Sequence, residues 1–171
     1  MKKTTFVGLI ILAMAVFGTG FANAQTNGPT GISVRLGAYF PTNSLGSDLA
    51  STWFAGGIDY KLNTLSVKAP ITNTEGYFGI SADYYGHGGD NDIPVALTYN
   101  LRQGQIVFSA GIGPDFRNAT DLTDNGVGIA EQVGIAYEFV HSYTPVFIAA
   151  KYFFASKPEL SGAGVYLGIR F

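Results

Sequence analysis

Two histidines, His87 and His141, are by type the side chains best suited to move protons near neutral pH. His87 lies close to Asp90 and Asp92, and His141 is followed at once by Ser142. Acyl transfer would need a hydroxyl nucleophile and its base within hydrogen-bond reach, and the stretch around His87 contains no serine. The chain is therefore read as a non-enzyme. Two runs, Gly89-Asp90-Asn91-Asp92 and Asp121-x-x-Asp124-Asn125-Gly126, are rich in oxygen donors. Neither carries the full ligand series of a calcium loop, so both are read as solvated turns, with no metal and no cofactor. There is no cysteine, which removes disulfides and a lipid-modified N-terminal cysteine.

The remaining charges follow a different logic. Arg35, Lys61, Lys151 and Arg170, with Asp59, Asp83, Asp115 and Glu138, fall on the polar phase of segments that alternate polar with apolar. Four cations and four carboxylates on one face should pair inside a closed sheet, where a lone charge is costly. Asp115 stands near the end of its segment and is read as a solvated strand end. The expected lumen network is Arg35, Asp59, Lys61, Asp83, Glu138, Lys151 and Arg170.

The elements that must position these groups are strands. Eight segments show period-two alternation, and their apolar phases define an outward face. The first carries Ile32, Val34, Leu36, Ala38 and Phe40, and the second Phe54, Gly56, Ile58, Tyr60 and Leu62. The third carries Phe78, Ile80, Ala82 and Tyr84, and the fourth Ile93, Val95, Leu97, Tyr99 and Leu101. Ile106, Phe108, Ala110 and Ile112 mark the fifth, and Val133, Ile135, Tyr137 and Phe139 the sixth. Val146, Ile148, Ala150, Tyr152 and Phe154 mark the seventh. In the eighth, every odd position from Ala163 to Phe171 is apolar, and the apolar phase runs to the last aromatic. Each segment is about ten residues, the length of a tilted strand crossing the hydrocarbon layer.

Composition agrees. Of 171 residues, 47% are hydrophobic and 13% charged, where roughly a quarter charged is typical of soluble proteins. Beyond residue 24 no run approaches the roughly 18 consecutive apolar residues of a helical span. Residues 1–24 read as an export signal: Lys2 and Lys3, the uncharged stretch Phe6 to Phe17, then Ala22-Asn23-Ala24 with cleavage before Gln25. Residues 25–171 then form one domain. The fold class expected is all-β, an eight-stranded antiparallel up-and-down transmembrane β-barrel.

With both termini on the inner side, the outer loops are 41–51, 86–92, 117–126 and 155–161, the candidate binding surface. They hold Asp48, Asp90, Asp92, Arg117, Asp121, Asp124, Lys157 and Glu159, a net charge of −4. The inner connections carry Lys68 and Arg102 and no acids. Those at 102–105 and 140–143 are short, whereas 63–74 is long for an inner turn and calls for longer strands there. His141 falls on the inner side, away from any outer-leaflet substrate. No basic stripe is present, which excludes nucleic acid as a partner. The aromatics sort by height, with Phe40, Phe54, Tyr84, Phe116 and Phe154 at the outer rim and Trp53 beside Phe54. Tyr60, Phe78, Tyr99, Tyr137, Phe139 and Phe171 fall at the inner rim. The bulky inward groups Tyr39, Tyr77, Tyr85, Phe147, Phe153 and Tyr166 should fill so narrow a lumen, leaving no open pore.

The runs Ser33-Val34-Arg35-Leu36-Gly37-Ala38-Tyr39-Phe40-Pro41, Gly56-Gly57-Ile58-Asp59-Tyr60, Gly111-Ile112-Gly113 and Gly168-Ile169-Arg170-Phe171 resemble the porin-like outer-membrane β-barrel family of OmpX- and OmpA-type small barrels. The resemblance implies a place in a Gram-negative outer membrane, among its lipid and lipopolysaccharide. It also implies recognition by the barrel-assembly machinery, through a C-terminal signal matched by Leu167, Ile169 and Phe171. The role implied is structural or surface-interactive, acting as a monomer through the four outer loops, with the surface ligand unknown. A narrow pore and a lipid A-modifying enzyme remain as alternatives. Barrels of the second kind use a histidine with a serine and an acid near the outer leaflet, and the His-x-Ser pattern of the deacylases is absent here.

Overall fold

The computed structural model describes residues 31–68, 74–118, 125–139 and 144–171. Its strands are β1 (Ile32–Pro41), β2 (Trp53–Lys68), β3 (Glu75–His87), β4 (Asp90–Gln103), β5 (Ile106–Asn118), β6 (Gly126–Glu138), β7 (Val146–Phe154) and β8 (Gly162–Arg170). Each pairs antiparallel with its sequence neighbour, and β8 returns to β1, closing an up-and-down barrel. The seam runs from Ser33 opposite Arg170 to Pro41 opposite Gly162. Two further bonds extend it: the Phe171 N–H donates to the Ile32 carbonyl at 2.8 Å, and the Gly31 N–H to the Phe171 carbonyl at 3.0 Å. Closure leaves no edge strand, although β2 beyond Lys61 and β6 before Glu131 outrun β1 and β7.

The pleat sends successive side chains to opposite faces, and burial follows that phase. Leu97 is 52% exposed, whereas Thr98, one residue on, is 5% exposed. Leu36, Ile80, Phe108, Ile112, Ile135 and Leu167 share the outward face with Leu97. Aromatic pairs sit toward both rims, Phe54 with Tyr84 and Tyr152 with Phe154 at one, Phe78 with Tyr99 and Tyr137 with Phe139 at the other. The end holding Gly31 and Phe171 is here the terminal end, and the opposite one the distal end.

Several boundaries differ from the sequence reading because strands outrun their alternating cores. β2 extends 16 residues to Lys68, so the long 63–74 connection shrinks to 69–74. β3 and β4 leave only Gly88 and Gly89 between them, so 86–92 is a tight hairpin and not a loop. Gly88 has φ +65°, a left-handed conformation that glycine adopts without strain. β5 and β6 take in Arg117, Asn118 and Gly126 from the 117–126 loop. Pro41 closes β1, and the rest of 41–51 carries α1 (Ser44–Leu49), whose cap Asn43 accepts from the Leu45 N–H at 3.0 Å. A single 3-10 turn, Pro158–Leu160, shapes 155–161. The export signal, His141, Ser142, Asp121 and Asp124 lie outside the described residues.

Candidate functional site

The lumen is built in layers, because inward residues alternate large and small from strand to strand. At the distal end, Tyr39 stacks on Tyr85 with centroids 4.1 Å apart and planes at 11°. Phe153 tilts against Tyr85 at 5.2 Å, and Trp53 against Tyr39 at 5.8 Å. Leu160 comes down from the 3-10 turn, and its carbonyl accepts the Tyr39 hydroxyl. All five side chains are at most 1% exposed. Trp53 is therefore a plug residue and not a rim aromatic: it faces Tyr39 across the β1–β2 pair and donates its indole N–H to the Ala50 carbonyl at 3.0 Å. Odd-numbered Trp53 shares the phase of Ala55, Gly57 and Asp59, a signal its neighbour Phe54 obscured.

Beneath the plug lies a four-charge knot. Arg35 bridges Asp59 and Asp83 and donates to the Ser81 hydroxyl at 3.1 Å. The Lys151 ammonium lies 3.1 Å from Asp83 and 3.5 Å from Asp59, and donates to Ser81 at 3.0 Å. Ser81 in turn donates to Asp83 at 2.7 Å. Lys151 sits between Gly134 and Gly164 in its row, which leaves its stem room to cross the lumen. The Tyr166 ring covers Arg35 at 5.5 Å. Two cations against two carboxylates make the knot neutral, which is how buried charge is tolerated.

The other expected network members lie lower. Arg170 donates to Glu138, and Arg102 holds the same carboxylate in two bonds of 2.6 and 2.8 Å. Arg102 was expected in an inner connection; it belongs to β4, on the inward phase of Thr98 and Asn100. Lys61 pairs with Glu75 at 2.5 Å and lies over the Tyr77 ring at 4.5 Å. These groups border a cavity of about 360 Å³ at the terminal end.

Three acids assigned to loops or solvent are corrected. Asp90 is 1% exposed, and Asp92 and Asp115 are fully buried. The inward phase of β4 simply continues upward through Ala96, Pro94, Asp92 and Asp90. Asp92 accepts the Tyr85 hydroxyl at 2.9 Å. Asp115 accepts the Ser156 hydroxyl at 2.8 Å, and that hydroxyl accepts from Arg117 at 2.6 Å. Glu131 is a charge the sequence reading missed; it points outward between Phe154 and Ile112, and Ile129 and Val127 continue the outward phase of β6 beyond it. His87 is exposed at the tip of β3, while Asp92 is committed to Tyr85, so the two are not brought into one site. Among the described residues no group of three metal-ligating side chains is assembled.

No protein-family model and no curated protein matches this sequence. Solved structures do match in shape. The outer membrane enzyme PagL superposes with a TM-score of 0.51 at 16% identity, over 82% of this chain and 97% of its own. The N-terminal β-barrel domain of Pseudomonas aeruginosa OprF gives 0.46 at 13% identity, over 85% and 100%. Yersinia pestis outer membrane protein Ail gives 0.45 at 11% identity, again over 85% and 100%. What the likeness to PagL shows is the fold, a closed eight-stranded up-and-down barrel.

Proposed function

We propose that this chain is a monomeric outer-membrane protein whose barrel is a sealed wall and whose distal rim is a contact surface. The observation that carries this reading is the plug: Tyr39, Trp53, Tyr85, Phe153 and Leu160 fill the distal lumen, which supports a barrel closed to solute. The apolar outward face and its rim aromatics support residence in lipid, since such a band suits hydrocarbon flanked by headgroups. On this reading the protein acts through what its surface touches.

That surface is ordered at its base. α1 and the 3-10 turn pack together over the plug, with Leu160 buried and Leu45 left 54% exposed. A short helix held on a rigid rim presents side chains to a partner at little ordering cost. The test replaces residues 44–49 and 157–159 by Gly-Ser segments, keeping the plug residue Leu160, and measures adhesion of intact cells to host-cell and abiotic surfaces. Loss of adhesion, with heat-modifiable gel migration unchanged, supports the surface role. Unchanged adhesion together with steady conductance of the native barrel in planar bilayers overturns it in favour of a pore. Altered lipid A on expression of the protein overturns it in favour of an enzyme.

A further inference from the structure

We propose that the vestibule at the terminal end of the lumen binds a small organic anion, a carboxylate or phosphate group on a short apolar body. The cavity measures about 360 Å³, inside the range of roughly 300–1,000 Å³ typical of ligand pockets. Its charge is unbalanced. Deeper in, Arg35 and Lys151 are matched by Asp59 and Asp83, and Lys61 at the mouth is matched by Glu75. Arg102 and Arg170 are left to share one carboxylate, Glu138. The connections spanning 69–74, 103–106 and 139–145 contain no Asp or Glu, so no side chain there adds a second carboxylate to Glu138.

The donors suit such a ligand. Glu138 engages two N–H groups of Arg102 and one of Arg170, which leaves donors on both guanidiniums for a second anion. A guanidinium matches the planar geometry of carboxylate and phosphate oxygens better than an ammonium does. Arg35 is committed to Asp59, Asp83 and Ser81 and closes the inner end of the cavity without adding a donor for the ligand. Asn100 and Ser109 add neutral polar groups to the wall, while Val107, Phe147 and Ala149 form an apolar strip that accommodates a short hydrocarbon body. A cation would be repelled, and a fully apolar ligand would strip water from the arginines without replacing it.

The test is a titration of the ¹⁵N-labelled barrel in nanodiscs, read at the amides of Gly79, Asn100 and Ala149, with Tyr85 and Asp92 as distal references. The probes are butyrate and phenyl phosphate, with chloride and butylammonium as controls at matched ionic strength. Saturable shifts confined to the vestibule are expected for the two anions, and their relative affinities tell which head group the site prefers. Arg102→Gln leaves Glu138 paired with Arg170 alone and should weaken binding about tenfold, as loss of a charge-assisted pair does. Glu138→Gln frees both guanidiniums and should strengthen binding, a change opposite in sign that general damage would not produce. Both variants are first checked for heat-modifiable migration. No saturation up to about 50 mM, well beyond millimolar affinity, or equal shifts with chloride, overturns the proposal. So does an affinity unchanged by both substitutions. The measurement uses the isolated barrel, so it stands or falls independently of the surface role proposed above.

Discussion

Arg35 reaches Asp83 over Gly57. The three residues lie in one row across β1, β2 and β3, with Gly57 opposite Arg35 on one side and opposite Asp83 on the other. A Cβ at Gly57 would stand 2.9 Å from the Arg35 Cζ and 2.7 Å from one of its terminal nitrogens. The glycine is therefore the gap through which a two-strand ion pair forms. Its neighbour Gly56 points outward, where a Cβ would meet the end of the Leu36 side chain at 3.2 Å and make ordinary contacts with the Arg35 carbonyl at 3.4 Å and the Phe54 ring at 3.9 Å.

Gly57→Val should push Arg35 away from Asp83 and break one arm of a buried ion network, leaving Asp83 with Lys151 and Ser81, a loss of up to about 3–5 kcal/mol. Gly56→Ala should move stability by no more than about 0.5 kcal/mol, the usual range for outward substitutions. Urea midpoints of the two barrels in lipid vesicles check the contrast. Equal losses at the two glycines would mean that Gly57 is needed for the strand and not for the ion pair.

The second prediction uses the same phase on the lipid side. Leu97 is 52% exposed on the outward face and Thr98 is 5% exposed on the inward one. Leu97→Arg should cost about 2–4 kcal/mol if that face meets the bilayer near its midplane. Thr98→Arg enters the polar vestibule and escapes that penalty, though it crowds Gly79 and Gly111. Comparing the pair in vesicles and in detergent micelles separates a lipid penalty from a packing one, because only the former depends on bilayer thickness.

Much of this was legible in the sequence, for a physical reason. Period-two alternation reports the face of each residue directly, so the inward aromatics and the inward set of charges follow from phase. What failed was knowing where each phase stops. Asp90 and Asp92 looked like a turn because their residue types favour turns, yet the inward phase of β4 carries both into the lumen. Asp115 and Arg102 were misplaced in the same way, at opposite strand ends. Trp53 was drawn to the rim by its chemistry, although its phase already set it inside. Cross-strand rows were not legible at all: that Gly57 separates Arg35 from Asp83 requires a register, which no single strand contains.

The third prediction concerns the plug. The native barrel should pass only sporadic current, since an eight-stranded lumen is narrow enough for side chains to fill. Truncating the stacked pair and the ring tilted against it, Tyr39→Ala, Tyr85→Ala and Phe153→Ala together, should give resolvable channel openings in planar bilayers. Opening of the native protein to porin-sized steps would overturn the sealed reading. A silent triple mutant that still migrates as a folded barrel would place the seal lower, at the Arg35–Asp83 knot.

The last prediction concerns the seam. Phe171 follows β8, its N–H bonded to the Ile32 carbonyl and its carbonyl accepting from Gly31, so it completes the pairing of β8 with β1. With Leu167 and Ile169 it continues the outward apolar phase to the terminal rim. An open seam in hydrocarbon would leave unpaired backbone groups, each costing several kcal/mol. Phe171→Asp puts a charge at that rim and removes the aromatic end of the expected assembly signal. The variant should accumulate unfolded before insertion, with the folded band lost from unboiled gels. Phe171→Tyr keeps an aromatic of nearly the same shape and should insert normally. If the Phe171→Asp protein instead reaches the outer membrane at normal levels, with its migration still shifted by boiling, the seam closes without this residue and the C-terminal signal lies elsewhere.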